Sequence, residues 1–124
     1  MKIKTYFFYF TIFYHSFAVS KNYFKKFEEA LQLYKEERFR LSEKKFRIIL
    51  EKERDHRDPA SQLLIAKSQA QQGLWSNARK TCKTLLAKYE NSPYEVNIYT
   101  LLGDCAFNEG KITSAFQNYL KARK

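Results

Sequence analysis

The sequence predicts an all-α fold in which antiparallel pairs of helices repeat along the chain. Three glycines and two prolines in 124 residues are too few for the many tight turns of a β protein. Apolar residues recur at spacings of three and four, as they do along one face of a helix. A block of ten residues recurs at offsets of 36 and 37 residues, which indicates a helical repeat protein.

The first twenty residues have the layout of a secretory signal peptide. A basic tip, Met1–Lys4, precedes the apolar run Thr5–Tyr14. Ala18 and Ser20 are small residues suited to cleavage after Ser20, and Ser16 with Ala18 would suit cleavage after Ala18. A retained membrane anchor and an ordinary apolar first helix are the alternatives. We therefore expect a secreted or periplasmic protein, associated with the membrane if the leader is kept.

The repeated block begins at Glu37, Gly73 and Gly110. Each copy places a bulky apolar residue two positions on, a small residue three positions further, and another bulky residue four positions later. Glycine ends a helix because it tolerates the left-handed conformation, and the small residue lets two helices approach closely. The residues expected to hold the repeats together are Phe39, Ser42, Phe46, Gly73, Trp75, Ala78, Cys82, Gly103, Gly110, Ala115 and Tyr119.

Each block predicts the second helix of a pair, and the segment before it predicts the first helix. Capping signals at Asp58-Pro59 and at Ser92–Glu95 mark where the second and third pairs start. The predicted units are repeat 1 at 21–58, repeat 2 at 59–92 and repeat 3 at 93–124. The apolar faces of the first helices are Phe24, Phe27, Leu31 and Tyr34; Leu63, Ala66 and Ala70; and Ile98, Leu101, Leu102 and Cys105.

This arrangement resembles the tetratricopeptide repeat family, in the longer variant common in bacterial envelope proteins. The first repeat departs from the pattern, with Glu37 in place of the turn glycine and Ser42 in place of the small alanine, so we interpret it as an irregular cap. The resemblance implies a short right-handed α-solenoid. It also implies a non-enzymatic scaffold or adaptor that binds a protein or peptide segment in an extracytoplasmic complex. The matching residues are Gly73, Trp75, Ala78, Leu85, Leu102, Gly103, Gly110, Ala115, Tyr119 and Ala122.

In the family, the first helix of each pair lines a concave face that holds the partner. A mixture of aromatic and amide side chains on this face suits an extended or helical peptide. The alternative is that Phe27, Leu31 and Tyr34 contact only a neighbouring helix or the leader. The positions that this resemblance assigns to the partner groove are Phe27, Leu31, Tyr34, Lys35, Leu63, Lys67, Gln71, Asn97, Thr100, Asp104 and Asn108.

The residue types do not suggest catalysis, a cofactor or a metal site. His15 belongs to the leader, and His56 lies in a charged loop without a second His or Cys near it. Cys82 and Cys105 are too far apart in sequence for a zinc motif. We expect two buried thiols, although an oxidising compartment would allow a disulfide. The sequence contains neither a glycine-rich phosphate loop nor a Ser/His/Asp arrangement.

The net charge of +10 suggests a second class of function. The charge is compatible with a solvated surface or with a basic module docking on anionic membrane or nucleic acid. The family resemblance leaves a further alternative, the helical N-terminal part of a longer exported binding protein. Export would disfavour nucleic acid. The last helix would end near Lys124 without a solvating helix, so we expect its apolar face to meet a partner, a second copy or a further domain. The densest cations are Arg38, Arg40, Lys44, Lys45 and Arg47.

Overall fold

The computed structural model describes residues 22–52 and 58–124, and all regular structure in these two ranges is helical. The predicted all-α class is therefore confirmed. The predicted leader and the loop that holds His56 lie outside the described residues. The helices are α1 over 22–35, α2 (Phe39–Lys52), α3 (Asp58–Gln71), α4 (Trp75–Lys88), α5 (Glu95–Asn108) and α6 (Ile112–Arg123).

Each helix packs against its neighbours in chain order. Contacts join α2 to α3, α3 to α4, α4 to α5 and α5 to α6, and a smaller contact joins α3 to α5. Helix α1 packs on α2, where the rings of Phe27 and Phe46 meet edge to face with centroids 5.3 Å apart. The hydroxyl of Ser42 also donates a hydrogen bond to the carbonyl of Ala30, at 2.8 Å. Three-residue turns reverse the chain within each pair, so paired helices are antiparallel.

The three turns share one backbone form. Glu37, Gly73 and Gly110 have φ angles of 61°, 76° and 78°, in the left-handed region. In each turn this residue donates its N–H to the carbonyl three residues back, and the next residue donates to the carbonyl five residues back, at 2.8 to 3.0 Å. These bonds satisfy carbonyls at the end of the first helix. Glu37 therefore adopts the conformation of the two glycines.

Replacing Glu37 by glycine should stabilise the protein by about 0.5 to 1 kcal/mol, because a side chain is strained at positive φ. Gly73→Ala and Gly110→Ala are the matched reverse changes. A Cβ at either glycine meets no atom within 4 Å, so only backbone strain would destabilise these variants. Urea unfolding of the three variants measures the effect. A less stable Glu37→Gly variant would contradict the assignment.

Two apolar clusters lie between the helices, and α3 contributes to both. The small residues predicted in the second helices, Ser42, Ala78 and Ala115, are all buried. The first cluster, from α1, α2 and α3, is Tyr23, Ala30, Phe46, Ile49 and Ile65. The second, from α3, α4 and α5, is Leu63, Ala66, Ala70, Ala78, Cys82, Leu85, Ile98, Leu101, Leu102 and Cys105.

Helix α5 begins later than a capping box at Ser92 would place it. The helix starts at Glu95, after a residue whose side chain makes no capping bond. The Ser92 hydroxyl accepts the N–H of Tyr94 at 3.1 Å, and the Glu95 carboxylate accepts the N–H of Asn91 at 3.2 Å. Glu95 also donates its N–H to the Ser92 carbonyl at 3.2 Å. Ser92 and Glu95 therefore hold the turn that precedes the helix.

Candidate partner-binding site

A cavity of about 310 Å³ opens where the first helices of the three pairs meet α4. We call it the central cavity. Its walls come from α1, α3, α4 and α5, so it spans all three helix pairs. Five of the residues assigned to the partner groove lie together here. The lining residues are Tyr34, Lys67, Ala70, Gln71, Trp75, Leu101, Asp104 and Asn108.

The repeat itself brings these side chains together. Lys67 and Gln71 lie one turn apart on α3, and Asp104 and Asn108 lie one turn apart on α5. The second pair of residues follows the first by 37 positions, which is the spacing between Gly73 and Gly110. Equivalent positions of consecutive repeats therefore supply the polar groups of the cavity.

The aromatic wall consists of Tyr34 and Trp75. Burial raises the pKa of the Tyr34 hydroxyl, and a hydrogen bond with the Gln71 side chain acts in the opposite direction. The ring of Tyr34 also packs edge to face on Phe39, with centroids 5.2 Å apart. Trp75 is half-buried against the second core cluster. These contacts hold two flat apolar surfaces at the rim of the cavity.

Lys67 supplies a positive charge to the central cavity. Its side chain is half-buried, and within the described ranges no ion pair joins it to a carboxylate. A partly buried ammonium group gains more from an anionic partner than an exposed one does. Lys67 is therefore the cavity side chain best suited to an acidic group of a partner.

Asp104 is oriented by a residue from outside the cavity. One carboxylate oxygen accepts a hydrogen bond from the Tyr119 hydroxyl of α6, at 2.6 Å. This bond, followed by burial, raises the pKa of Tyr119 to about 12. The Asn108 amide donates to the backbone carbonyl of Asp104 at 2.8 Å. The α6 helix thus fixes the acidic corner of the cavity.

Titration of Tyr119 tests this arrangement. Because the folded-state pKa of Tyr119 lies above the ordinary value of about 10, its contribution to stability is complete below pH 10 and is lost as the pH rises through 12. Asp104→Asn should bring the pKa of Tyr119 back toward its ordinary value. Absorbance at the phenolate band, compared with a Tyr119→Phe control, measures the shift. An unchanged titration curve in Asp104→Asn would contradict the bond.

The other groove positions lie outside the central cavity. Leu63 is 5% exposed and belongs to the second cluster, so it is a core residue rather than a groove residue. Phe27 and Leu31 are half-buried against the first cluster, as the alternative in which they contact a neighbouring helix implies. Thr100 is exposed and donates its hydroxyl to the Val96 carbonyl of its own helix. The exposed side chains of Lys35 and Asn97 do not line the cavity.

Sequence reasoning missed three lining residues of the central cavity. The sequence places Ala70 and Leu101 only on the apolar faces of first helices. It places Trp75 only among the residues expected to hold the repeats together. An indole is large enough to fill the turn and still reach the neighbouring cavity, so the size of Trp75 was the available signal.

Both cysteines are free and buried in the second cluster. Burial raises the pKa of Cys82 to about 12 and that of Cys105 to about 11. Their thiols are therefore protonated at neutral pH and are poor nucleophiles.

A second cavity, of about 640 Å³, lies beside α2. Leu41 and Leu74 are both exposed in it. Of the five clustered cations, three line this cavity, whereas Arg38 pairs with Glu36 at 3.8 Å and Lys45 lies elsewhere. The cavity is lined by Arg40, Leu41, Glu43, Lys44, Arg47, Gln72 and Leu74.

No protein-family model, curated protein or solved structure matches the chain. In the part of the chain that the structure describes, no group of His, Cys, Asp and Glu is arranged to hold a metal ion. Within residues 22–52 and 58–124, every helix is too short or too polar to cross a membrane.

Proposed function

We propose that this protein is a non-enzymatic scaffold of the tetratricopeptide kind, which binds a protein or peptide segment in the central cavity. The observation that carries the proposal is that side chains from three first helices line one cavity. Consecutive packing of the helix pairs supports a right-handed solenoid, whose concave side would carry this cavity.

The side chains of the central cavity define what the bound segment should contain. Gln71 and Asn108 offer amide groups that can pair with the backbone of an extended peptide. Tyr34 and Trp75 offer apolar surface to one aromatic or aliphatic side chain. Lys67 favours a neighbouring acidic group, and Asp104 disfavours a second one. The preferred segment therefore contains one apolar side chain and a single acidic residue next to it.

Trp75 is the single tryptophan of the chain and lines the central cavity, so its fluorescence reports on that wall of the cavity. Peptides selected by display on the full chain should shift or quench its emission as they bind. Binding that leaves the emission of Trp75 unchanged would place the peptides elsewhere and would contradict the proposal. Peptides of scrambled sequence provide the control.

We further propose that the scaffold works outside the cytoplasm, and the layout of the first twenty residues supports this. Amino-terminal sequencing of the mature protein from its host should start at Lys21 or Val19. A mature protein that starts at Met1 would contradict cleavage of the leader.

The second cavity favours one alternative function, docking on an anionic membrane. Arg40, Lys44 and Arg47 lie beside two exposed leucines there, which is the combination that binds acidic lipid headgroups at an interface. Glu43 weakens this candidate, because its carboxylate pairs with Arg47 at 3.1 Å. Binding to phosphatidylserine vesicles that falls steeply between about 50 and 200 mM salt would support the alternative. A peptide in the central cavity should be far less sensitive to salt.

A further inference from the structure

The last helix pair exposes five large apolar side chains. Ile112, Phe116 and Leu120 follow one another at one-turn spacing along α6. Val96 and Phe107 of α5 are also exposed. All five side chains are between 43% and 62% exposed. We call these five residues the end face.

In the first two pairs, the residue at the repeat position of Phe116 forms a polar contact with the next pair. Glu43 of α2 accepts a hydrogen bond from Gln72 at 3.0 Å, across the seam between the first and second pairs. Arg79 of α4 donates to both carboxylate oxygens of Glu109, at 3.0 and 3.1 Å, across the next seam. Phe116 follows Arg79 by 37 residues and so occupies this position in the last pair. The polar seam contact is replaced there by an exposed aromatic ring.

Two of the other end-face positions follow the same rule, whereas Leu120 does not, since its counterparts Arg47 and Lys83 are exposed. Ile112 corresponds to Phe39 and Trp75, which are both half-buried. Phe107 corresponds to Tyr34, whose hydroxyl bonds to the Gln71 side chain of the next pair. In the inner pairs a helix covers these positions, since α3 packs on α2 and α5 packs on α4. The end face therefore has the shape and spacing of a surface that receives a helix.

Charge distinguishes the kinds of helix that could cover the end face. Helix α6 contains no acidic residue, and its last turn carries Lys121 and Arg123, followed by Lys124. Two copies of the chain that met through this face would each present cations and no carboxylate from α6. A helix with carboxylates along its edges would instead find complementary charge.

We propose that the end face docks an amphipathic helix of a partner protein, apolar along one face and acidic along its edges. This surface does not share a residue with the central cavity, so the two sites can be tested separately. The seam position of Phe116 makes it the central anchor, and Arg123 provides the charge at the edge.

Two designed peptides of about 18 residues, or five helical turns, test the proposal. Both carry leucine along one face, and their remaining positions are glutamate in one peptide and lysine in the other. Fluorescence anisotropy with the full chain should show binding of the glutamate helix alone. Phe116→Arg should weaken this binding at least about tenfold, and Arg123→Glu should weaken it by a smaller factor. Phe24→Arg, which makes the same change at an exposed phenylalanine on α1, is the matched control and should bind normally.

Phe116 and Arg123 are both exposed, so neither variant should disturb folding; circular dichroism checks this. Equal binding of the lysine helix, failure of the glutamate helix to bind, or normal binding by Phe116→Arg would each overturn the proposal. It would also be overturned by a dimer of the unmodified chain that Phe116→Arg dissociates, or by binding to phosphatidylserine vesicles that requires Phe116. Lys67→Glu should leave binding of the glutamate helix intact, which separates this test from that of the central cavity.

Discussion

Replacing Phe46 by alanine is expected to destabilise the protein by about 3 to 5 kcal/mol. The Phe46 side chain is fully buried in the cluster that joins α1, α2 and α3. Its ring packs edge to face on Phe27, so the substitution would remove an aromatic contact and leave a cavity. Since the free energy of unfolding of a small domain is about 5 to 15 kcal/mol, this loss is a large fraction of the total. The first helix pair of the variant should therefore unfold at a clearly lower urea concentration than the wild-type protein does.

Phe24→Ala is the matched control, because the same side chain is removed from a position that is 56% exposed. Its effect should stay within about 0.5 kcal/mol. Urea unfolding followed by circular dichroism compares the two variants with the wild type. Similar losses for both phenylalanines would contradict the packing of α1 on α2.

Gly103→Ala is expected to destabilise the protein by about 0.5 to 1.5 kcal/mol, although alanine is normally the better helix former. A Cβ at Gly103 would overlap the ring of Tyr119, which packs directly on this glycine. The ring would have to move away, and its hydrogen bond to Asp104 would be lost with it.

The effect of Gly103→Ala should change sign when the ring is removed. In a Tyr119→Ala background, the added methyl group meets no ring, and the helix preference of alanine should then stabilise the protein by up to about 1 kcal/mol. A double-mutant cycle of unfolding free energies measures this coupling. Additive effects of the two substitutions would contradict the close approach of α5 and α6.

The helix pairs could be predicted because their determinants are local. Gly73 and Gly110 mark turns through their backbone freedom, and apolar residues at helical spacing mark the buried faces. The ten-residue block also predicted the position of Glu37 in its turn, although a glutamate carries no glycine signal. Three-dimensional structure was needed to show that it takes the same left-handed conformation.

Other features depend on contacts that the sequence does not specify. The family position assigns Leu63 to the groove and the apolar spacing assigns it to a buried face, and the structure decides between the two by placing it in the second cluster. The Ser92 hydroxyl could cap a helix, but it accepts a hydrogen bond from the N–H of Tyr94 within the turn, and α5 starts only at Glu95. Helix α6 contributes to the central cavity through the hydrogen bond from Tyr119 to Asp104 of α5. Because this bond joins two helices, the sequence of neither helix alone predicts it.

The measurement that tests the binding site most directly compares two charge reversals of equal size, Lys67→Glu and Lys83→Glu. Lys67 lines the central cavity, whereas Lys83 is exposed on α4 outside it. The repeat position of Lys67 already holds an acid, Asp104, in the last pair, so the fold should tolerate the change. For display-selected acidic peptides, Lys67→Glu should raise the dissociation constant at least about tenfold, while Lys83→Glu should change it little. Equal losses in both variants, or no loss in Lys67→Glu, would contradict binding in the central cavity.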